Sequence, residues 1–266
     1  MTHDHDRGLS GDLPKLLDRR VALGLMGGVG VATLFGCSTG SPETPAAQAS
    51  TPAATGSAAA SCATKIPEET AGPYPGDGSN GPNILTRTGI VRGDIRSSFA
   101  GSSGVARGVP LTIRLAVQRN CAPLAKAAIY LWHCDREGRY SMYSNGVTDE
   151  NYLRGVQETD AQGGVTFTSI FPAAYSGRWP HVHFEVYPDL ATAATARGKL
   201  VTSQLALPSA ACQAVYATDG YSASVRNLAQ TSLGSDMVFR DGYQTQLATL
   251  TGGVAEGFVA DLTLAV

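Results

Sequence analysis

The chain has 266 residues, of which 20 are lysine or arginine and 22 are aspartate or glutamate, so its formal net charge is −2. Charge this close to balance, with no basic run, argues against nucleic acid as a partner. About two hundred residues remain once an N-terminal leader is set aside, which is enough for one β domain with a substantial core. We therefore expect a single small domain behind a leader.

The N-terminus predicts an export signal over residues 1–37. The pair Arg19-Arg20 precedes an uncharged apolar stretch, Val21–Gly36, that is too short to span a membrane comfortably. The paired arginines resemble a twin-arginine signal, and Leu34–Cys37 resembles a bacterial lipobox, in which Cys37 carries a lipid. We predict an exported protein at the cell surface, in the periplasm or outside the cell, with a lipid at Cys37 as its only membrane anchor. An ordinary cleaved signal is the alternative.

Residues 38–61 predict a flexible tether. They are mostly proline, alanine, serine and threonine, with almost no large apolar side chain. Such a segment buries too little surface to offset the entropy of ordering. The folded domain is accordingly predicted over residues 62–266.

Four cysteines follow Cys37, at Cys62, Cys121, Cys134 and Cys212. In an exported protein an even number of cysteines predicts two disulfides, and three pairings are open. A cysteine-rich metal site is the competing interpretation, but the chain has no Cys-x-x-Cys spacing. Structural disulfides are therefore expected.

The domain is predicted to be mostly β. Leu111–Gln118 alternates apolar and polar residues, which is typical of a half-buried strand. Similar short runs occur at 127–132, 165–170, 182–186, 200–205 and 258–264. Helical patterns are limited to Leu190–Arg197 and Ser222–Gln230. Many short strands with turn residues between them indicate a sandwich or barrel.

The triplet His181-Val182-His183 is the strongest chemical signal. Side chains two apart on a strand share a face, so both imidazoles can contact one metal ion while Val182 packs behind them. Histidines at this spacing are also found as ordinary half-buried strand residues, so the triplet alone does not decide between the two interpretations.

The sequence around this triplet resembles the signature of one enzyme family. The similar segments are Glu69–Tyr74, Trp132–Asp135, Gly138–Tyr140, Leu153–Asp160, Gly163–Phe167 and Phe171–His183. Together they resemble the intradiol ring-cleavage dioxygenases, and the general appearance is similar to the β-type subunit of protocatechuate 3,4-dioxygenase, here as an exported chain. The resemblance runs from about Cys62 to the C-terminus. It implies a two-sheet antiparallel β-sandwich with few short helices.

The resemblance also implies a non-haem Fe(III) ion held by Tyr140, Tyr175, His181 and His183. Phenolate oxygens are hard anionic donors that favour Fe(III) over Fe(II), and neutral imidazoles complete the set. Tyr143 is the main rival to Tyr140 as a ligand.

The implied reaction is cleavage of a catechol by O2 between its two hydroxylated carbons, giving a cis,cis-muconate-type product. Tyr175 is implied to leave the metal and accept a substrate proton. Arg178 is placed to stabilise negative charge that develops on the ring, although a surface salt bridge is its alternative role. Gln204 matches a residue that borders the family's site, and strand pairing is its alternative role.

Two further expectations accompany this hypothesis. Gly72–Pro75 is expected to form one wall of the pocket, with a rigid turn anchored by its two prolines as an equally good interpretation. Trp132 and Trp179 are candidates either for stacking on the substrate or for core packing. A second class of function also fits an anchored β-sandwich, namely a lipoprotein that binds catechols, siderophores or carbohydrate without turnover. The Tyr and His set together with Arg178 favours catalysis.

Overall fold

The structure, a computed structural model, describes residues 62–266. The predicted export signal and the predicted tether both lie outside the described residues. The strands of the described part, in chain order, are β1 Pro110–Arg119, β2 Ala122–Pro123, β3 Ala128–Trp132, β4 Arg154–Glu158, β5 Gly164–Ile170, β6 His181–Tyr187, β7 Val201–Ala206, β8 Thr249–Gly253 and β9 Gly257–Ala265. Its helices are α1 Leu190–Ala194, α2 Ser209–Tyr216 and α3 Ser222–Ala229.

Within residues 62–266 the strands form two sheets. One has five strands in the order β2-β1-β9-β8, with β5 also paired to β1, and the other has four in the order β4-β3-β6-β7. The prediction of an all-β fold with few short helices is confirmed. The strands pair antiparallel, as predicted, except that β1 and β9 pair in parallel. Parallel neighbours need a long connection, and the whole second sheet lies in the chain between these two strands.

The core lies between the two sheets. Along β1, Leu111, Ile113, Leu115 and Val117 are buried while their neighbours are partly or fully exposed, as the predicted alternation requires. These side chains share one apolar cluster with Phe184 and other residues of the four-stranded sheet. Burial of this apolar surface is the main stabilising term of the fold.

Strand β6 differs from β1 because all seven of its residues are buried. Val182, Phe184 and Val186 belong to the apolar cluster between the sheets. His181 and His183 point to the opposite face, as the two-residue period of a strand dictates. That second face is covered by loops, so β6 separates the apolar core from a buried polar site.

One covering element is an N-terminal strap, residues 62–76, that runs beside β7. Its backbone is held where Glu69 N–H donates to the carbonyl of Thr202 at 2.7 Å and where Ser203 Oγ donates to the carbonyl of Pro67 at 2.8 Å. A disulfide between Cys62 and Cys121 attaches the start of the strap to the turn between β1 and β2. The strap is therefore anchored at its first residue and along its length.

The prediction of two disulfides is wrong within the described residues. Cys134 and Cys212 are both free, buried thiols. Cys134 Sγ faces the carbonyl of Ala173 at 3.6 Å, whereas Cys212 Sγ faces the carbonyl of Leu207 at 3.8 Å. The two thiols belong to different core clusters, so each packs as a small apolar side chain.

The helices are short, and none of the helices in residues 62–266 has the length and apolar character needed to cross a membrane. The predicted helices near 190 and 222 are present as α1 and α3. α2 was not predicted from the sequence.

Candidate metal centre and active site

The two histidines of β6 approach each other across one face of the strand. His181 Nε2 and His183 Nε2 are 3.1 Å apart, and both residues are 2% exposed. The backbone of His183 pairs with Trp132 of β3 on one side and with Gln204 of β7 on the other. A strand at the centre of its sheet thus fixes the position of both rings.

Two loops bring tyrosines to the histidines. Tyr140 Oη lies 3.2 Å from His183 Nε2, and Tyr175 Oη lies 3.2 Å from His181 Nε2. The loops touch at Gly138, whose φ is +83° and where an added Cβ would lie 3.3 Å from Tyr175 Cβ. Glycine at this position therefore permits both the left-handed turn and the close approach. The Tyr140 turn is further fixed by the buried carboxylate of Asp135, which accepts hydrogen bonds from the turn backbone.

The tautomer of His181 is set by its second ring nitrogen. His181 Nδ1 faces the carbonyl oxygen of Trp179, which can only accept, so Nδ1 carries the proton. Nε2 therefore presents a lone pair to the other donor atoms. Burial and the Arg178 charge lower the pKa of His181 well below its ordinary value, which keeps the ring in the neutral form that binds metals.

His183 is held by packing. The indole of Trp132 stacks on its imidazole with ring centroids 4.9 Å apart and an angle of 6° between the planes. Burial, followed by the neighbouring His181 and Arg178, lowers the pKa of His183 well below its ordinary value. Its Nδ1 is a buried polar atom with no hydrogen-bond partner in the described structure. The ring is thus fixed by stacking, with Nε2 directed at the other donors.

Burial also affects the two phenols. It raises the pKa of Tyr175 to about 12 and that of Tyr140 well above its ordinary value, while the charge of Arg178 opposes both shifts. A bound cation would reverse this balance by stabilising the phenolates. Tyr140 is 2% exposed and Tyr175 is half-buried, so Tyr175 stands on the solvent side of the group.

The four donor atoms fit a single cation. Neighbouring ligands about 2.1 Å from one ion lie roughly 3.0–3.5 Å apart. The donor atoms of His181 and His183, of Tyr140 and His183, and of Tyr175 and His181 are 3.1–3.2 Å apart. In residues 62–266 no three His, Cys, Asp or Glu side chains come together as a metal-binding group, so this set depends on its phenols. We refer to these four side chains as the donor cluster.

Arg178 lies beside the donor cluster and is itself buried, with 3% exposure. Its Nη1 is 3.5 Å from His181 Nε2, and its Nε donates to Asp236 Oδ2 at 2.9 Å. The alternative of a surface salt bridge is therefore wrong, since the ion pair with Asp236 is fully enclosed. A fixed positive charge stands at the edge of the candidate site.

Gln204 reaches the site through Arg178. Its Oε1 accepts from Arg178 Nη2 at 2.6 Å, and its Nε2 donates to the carbonyl of Thr70 in the strap at 2.9 Å. The amide thus has a partner at each end, and the backbone of Gln204 also pairs with β6. The side chain links Arg178 to the strap.

The other aromatic candidates take different positions. Tyr143 Oη donates to the carbonyl of Asn80 at 2.9 Å and accepts from Gly76 N–H, which turns it away from the donor cluster. Tyr74 lies over Tyr140 with ring centroids 4.9 Å apart, so the strap does cover the site there. Trp179 packs in an apolar cluster and donates its Nε1 proton to a backbone carbonyl.

Two buried residues that support the site were missed from the sequence. Arg154 is 1% exposed and donates to the carbonyls of Tyr74, Pro75 and Ser141 at 3.0 Å, which joins the strap to the Tyr140 turn. It stands in a segment that was singled out for its resemblance alone. Asp236 follows α3 in a serine- and glycine-containing turn, and no motif marks it.

Comparisons with known proteins relate part of the chain to the dioxygenases. Residues 80–209 match the family model described as Dioxygenase. Chlorocatechol 1,2-dioxygenase of a Pseudomonas species is 31% identical over 128 residues, which are 41% of this chain and 49% of that protein. Catechol 1,2-dioxygenase 2 of Acinetobacter lwoffii is 37% identical over 54 residues, which are 20% of this chain and 19% of that protein. The chain thus spans half or less of the length of these curated relatives.

Among solved structures, an intradiol ring-cleavage dioxygenase from Tetranychus urticae superimposes with a TM-score of 0.60 at 23% identity, over 76% of this chain and 94% of that one. At this identity the likeness concerns the fold. Residues 80–209 thus match the dioxygenase family, and the described residues share the fold of an intradiol ring-cleavage dioxygenase.

Proposed function

We propose that the protein is a non-haem Fe(III) enzyme that cleaves a catechol-type ring between its two hydroxylated carbons with O2. The observation that carries the proposal is the convergence of two phenol oxygens and two imidazole nitrogens, at 3.1–3.2 Å, in a buried site. Two hard phenolate donors with two neutral imidazoles match Fe(III) better than zinc or copper. The catechol 1,2-dioxygenase relatives point to the same substrate class.

The ferric ion would draw electron density from a bound catecholate and so make its ring reactive toward O2. The residues of the chain orient the substrate and move its protons. Tyr175, on the solvent side of the donor cluster, is the tyrosine that would leave the metal and accept a proton from a catechol hydroxyl at its Oη. Tyr140 is more deeply buried and would stay a ligand.

Arg178 supplies a charge where the reaction needs one. The guanidinium is enclosed and fixed, so its interaction with negative charge on the reacting ring is not weakened by water. Closure of the site by the strap excludes solvent from the same region. The net reaction adds both atoms of O2 to the catechol and yields a cis,cis-muconate-type diacid.

Oxygen uptake by the iron-loaded protein with catechol, followed by mass spectrometry and NMR spectroscopy of the product, tests the proposal. We expect one O2 to be consumed per catechol, and addition of both oxygen atoms should give a diacid about 32 mass units heavier than catechol. The turnover number should be on the order of one per second or faster. An isomeric aldehyde, formed by cleavage beside the hydroxylated carbons, would contradict the intradiol reaction. Binding of catechol without oxygen uptake would instead favour the non-catalytic binding lipoprotein.

We also propose that the protein is exported and anchored by a lipid on Cys37, on the sequence pattern of residues 1–37. With Cys37→Ser, the protein should move from the membrane fraction to the soluble fraction, and its turnover should be unchanged. Continued membrane association of the variant would mean that the apolar stretch Val21–Gly36 anchors the chain instead.

A further inference from the structure

Asp236 is a fully buried carboxylate that accepts hydrogen bonds from residues of the site and from the backbone of its own turn. Oδ2 accepts from Arg178 Nε at 2.9 Å and from the backbone N–H of Trp179 at 2.7 Å. Oδ1 accepts from the backbone N–H groups of Val238 and Phe239 at 2.8 and 3.3 Å. Its side chain is 0% exposed. A carboxylate has about four acceptor sites, and four donors are present.

These bonds fix the plane of the Arg178 guanidinium. Its Nε is held by Asp236 and its Nη2 by Gln204 Oε1 at 2.6 Å. Because the group is planar, two fixed nitrogens determine the direction of the third. That third nitrogen, Nη1, lies 3.5 Å from His181 Nε2, at the edge of the donor cluster. A long flexible side chain is thus locked in one orientation.

The charge on Asp236 also makes the burial of Arg178 possible. An isolated guanidinium is costly in a dry interior, and a paired carboxylate with its own hydrogen bonds offsets that cost. Asp236 belongs to the segment between α3 and β8, outside the residues 80–209 that match the family model. The counter-charge of the site therefore comes from a separate part of the chain.

We propose that Asp236 is a positioning residue for ring cleavage, which directs Arg178 Nη1 toward the donor cluster without itself contacting the substrate. This inference rests on the proposed function, in which Arg178 stabilises charge on the reacting ring. Loss of the Asp236 charge should therefore impair turnover while the donor cluster and the substrate remain in place.

The test compares Asp236→Asn with wild type and with Asp241→Asn, a control that makes the same change at an exposed position of the same segment. Asparagine keeps the size of the side chain, but its NH2 group cannot accept from Arg178 or from the backbone. We expect Asp236→Asn to retain iron and its visible absorption, and to bind catechol anaerobically within about threefold of wild type, while kcat falls at least tenfold. Asp241→Asn should behave as wild type.

A double-mutant cycle separates positioning from general destabilisation. If Asp236 acts through Arg178, then Arg178→Met together with Asp236→Asn should turn over no more slowly than Arg178→Met alone. In the iron-free protein, the double variant should also melt at a higher temperature than Arg178→Met, because the single variant leaves a buried carboxylate unpaired. The comparison of these two variants decides the matter even if Asp236→Asn alone does not fold.

Three results would overturn the inference. They are an unchanged kcat in iron-loaded Asp236→Asn, loss of iron from that variant, and a double variant clearly slower than Arg178→Met. Loss of iron would assign Asp236 to support of His181 through Trp179. If iron-loaded wild type itself took up no oxygen with catechol, the proposed function would fail, whereas the melting comparison would still report whether the ion pair is coupled.

Discussion

The protonation state of each side chain in this site matters as much for metal binding as its position does. The carbonyl of Trp179 fixes the proton of His181 on Nδ1, and burial keeps both imidazoles neutral. The phenols of Tyr140 and Tyr175 resist ionisation until a cation arrives, because burial raises the pKa of each. Metal binding should therefore release protons from the tyrosines. The four side chains of the donor cluster are thus neutral on their own, and the phenols ionise when a cation binds.

The first prediction separates two neighbouring tyrosines. Tyr140→Phe removes an oxygen of the donor cluster, so we expect iron affinity to fall by at least about tenfold and most of the visible absorption to be lost with the iron. Tyr143→Phe removes a hydroxyl that bonds only to the Asn80 and Gly76 backbone, so iron and absorption should be nearly intact. Metal analysis and absorption spectra of both variants check this. The reverse pattern would show that the ligand assignment is wrong.

How far single residues could be predicted depends on whether they belong to a motif. The spacing of His181 and His183 and the resemblance around them pointed to the residues that the structure brings together. Asp236 could not be found in this way, since a lone aspartate in a turn has the same appearance wherever its side chain points. Its role follows from long-range packing that joins residues 57 positions apart along the chain.

At the scale of elements, a strand can hold two separate loops in fixed positions relative to each other. Arg154 of β4 donates to the strap at Tyr74 and Pro75 and to the Tyr140 turn at Ser141. The residue is 1% exposed, so its guanidinium is shielded from bulk solvent. A single side chain thus connects the wall of the pocket to a residue of the donor cluster. A displacement of the strap should therefore also displace the Tyr140 turn.

Gly76→Ala tests this connection. The φ of Gly76 is +68°, and an added Cβ would lie 2.8 Å from Arg154 Nη1. Gly101→Ala is the matched control, because Gly101 has a φ of +99° but no atom within 4 Å of an added Cβ. Both variants should lose about 1 kcal/mol to backbone strain, and Gly76→Ala should lose roughly 1–3 kcal/mol more through overpacking.

Urea unfolding of the iron-free variants measures these losses. We also expect a shifted visible absorption in iron-loaded Gly76→Ala and an unchanged one in Gly101→Ala. Equal stability and identical spectra for the two variants would show that Arg154 does not couple the strap to the site.

The elements themselves were predictable to the extent that their patterns are local. The alternation of β1 and the apolar runs of β3, β5, β6, β7 and β9 are present at or near their predicted positions. β4 has a mixed sequence that includes Arg154 and Gly155, and β8 is rich in threonine and glycine, so neither shows an apolar run. The parallel pairing of β1 with β9 depends on the path of the intervening chain, which no local pattern encodes.

The molecule as a whole is stabilised where its sheets and its strap meet. Ile66 N–H of the strap donates to the carbonyl of Ala265 in β9 at 3.0 Å, close to the end of the chain. The Cys62–Cys121 disulfide links residues 59 positions apart and holds the same end of the strap. The described part of the chain is thus tied together near both of its ends.

Replacement of both bonded cysteines by serine should lower the free energy of unfolding by about 2–5 kcal/mol, since the unfolded chain regains the freedom of a long loop. The donor cluster lies elsewhere, so iron content in the absence of denaturant should be unchanged. Denaturant unfolding with and without reductant measures the effect. Reductant should destabilise wild type but not the double variant, and a variant as stable as wild type would contradict this role of the disulfide.

The visible absorption spectrum of the purified protein, with its metal content, tests the central claim most directly. Two tyrosinates bound to Fe(III) should give a broad charge-transfer band and a burgundy colour, with about one iron per chain. Anaerobic addition of catechol should shift that band as the substrate chelates the metal. A colourless protein that contains stoichiometric zinc, with no band from tyrosinate and iron, would contradict the account.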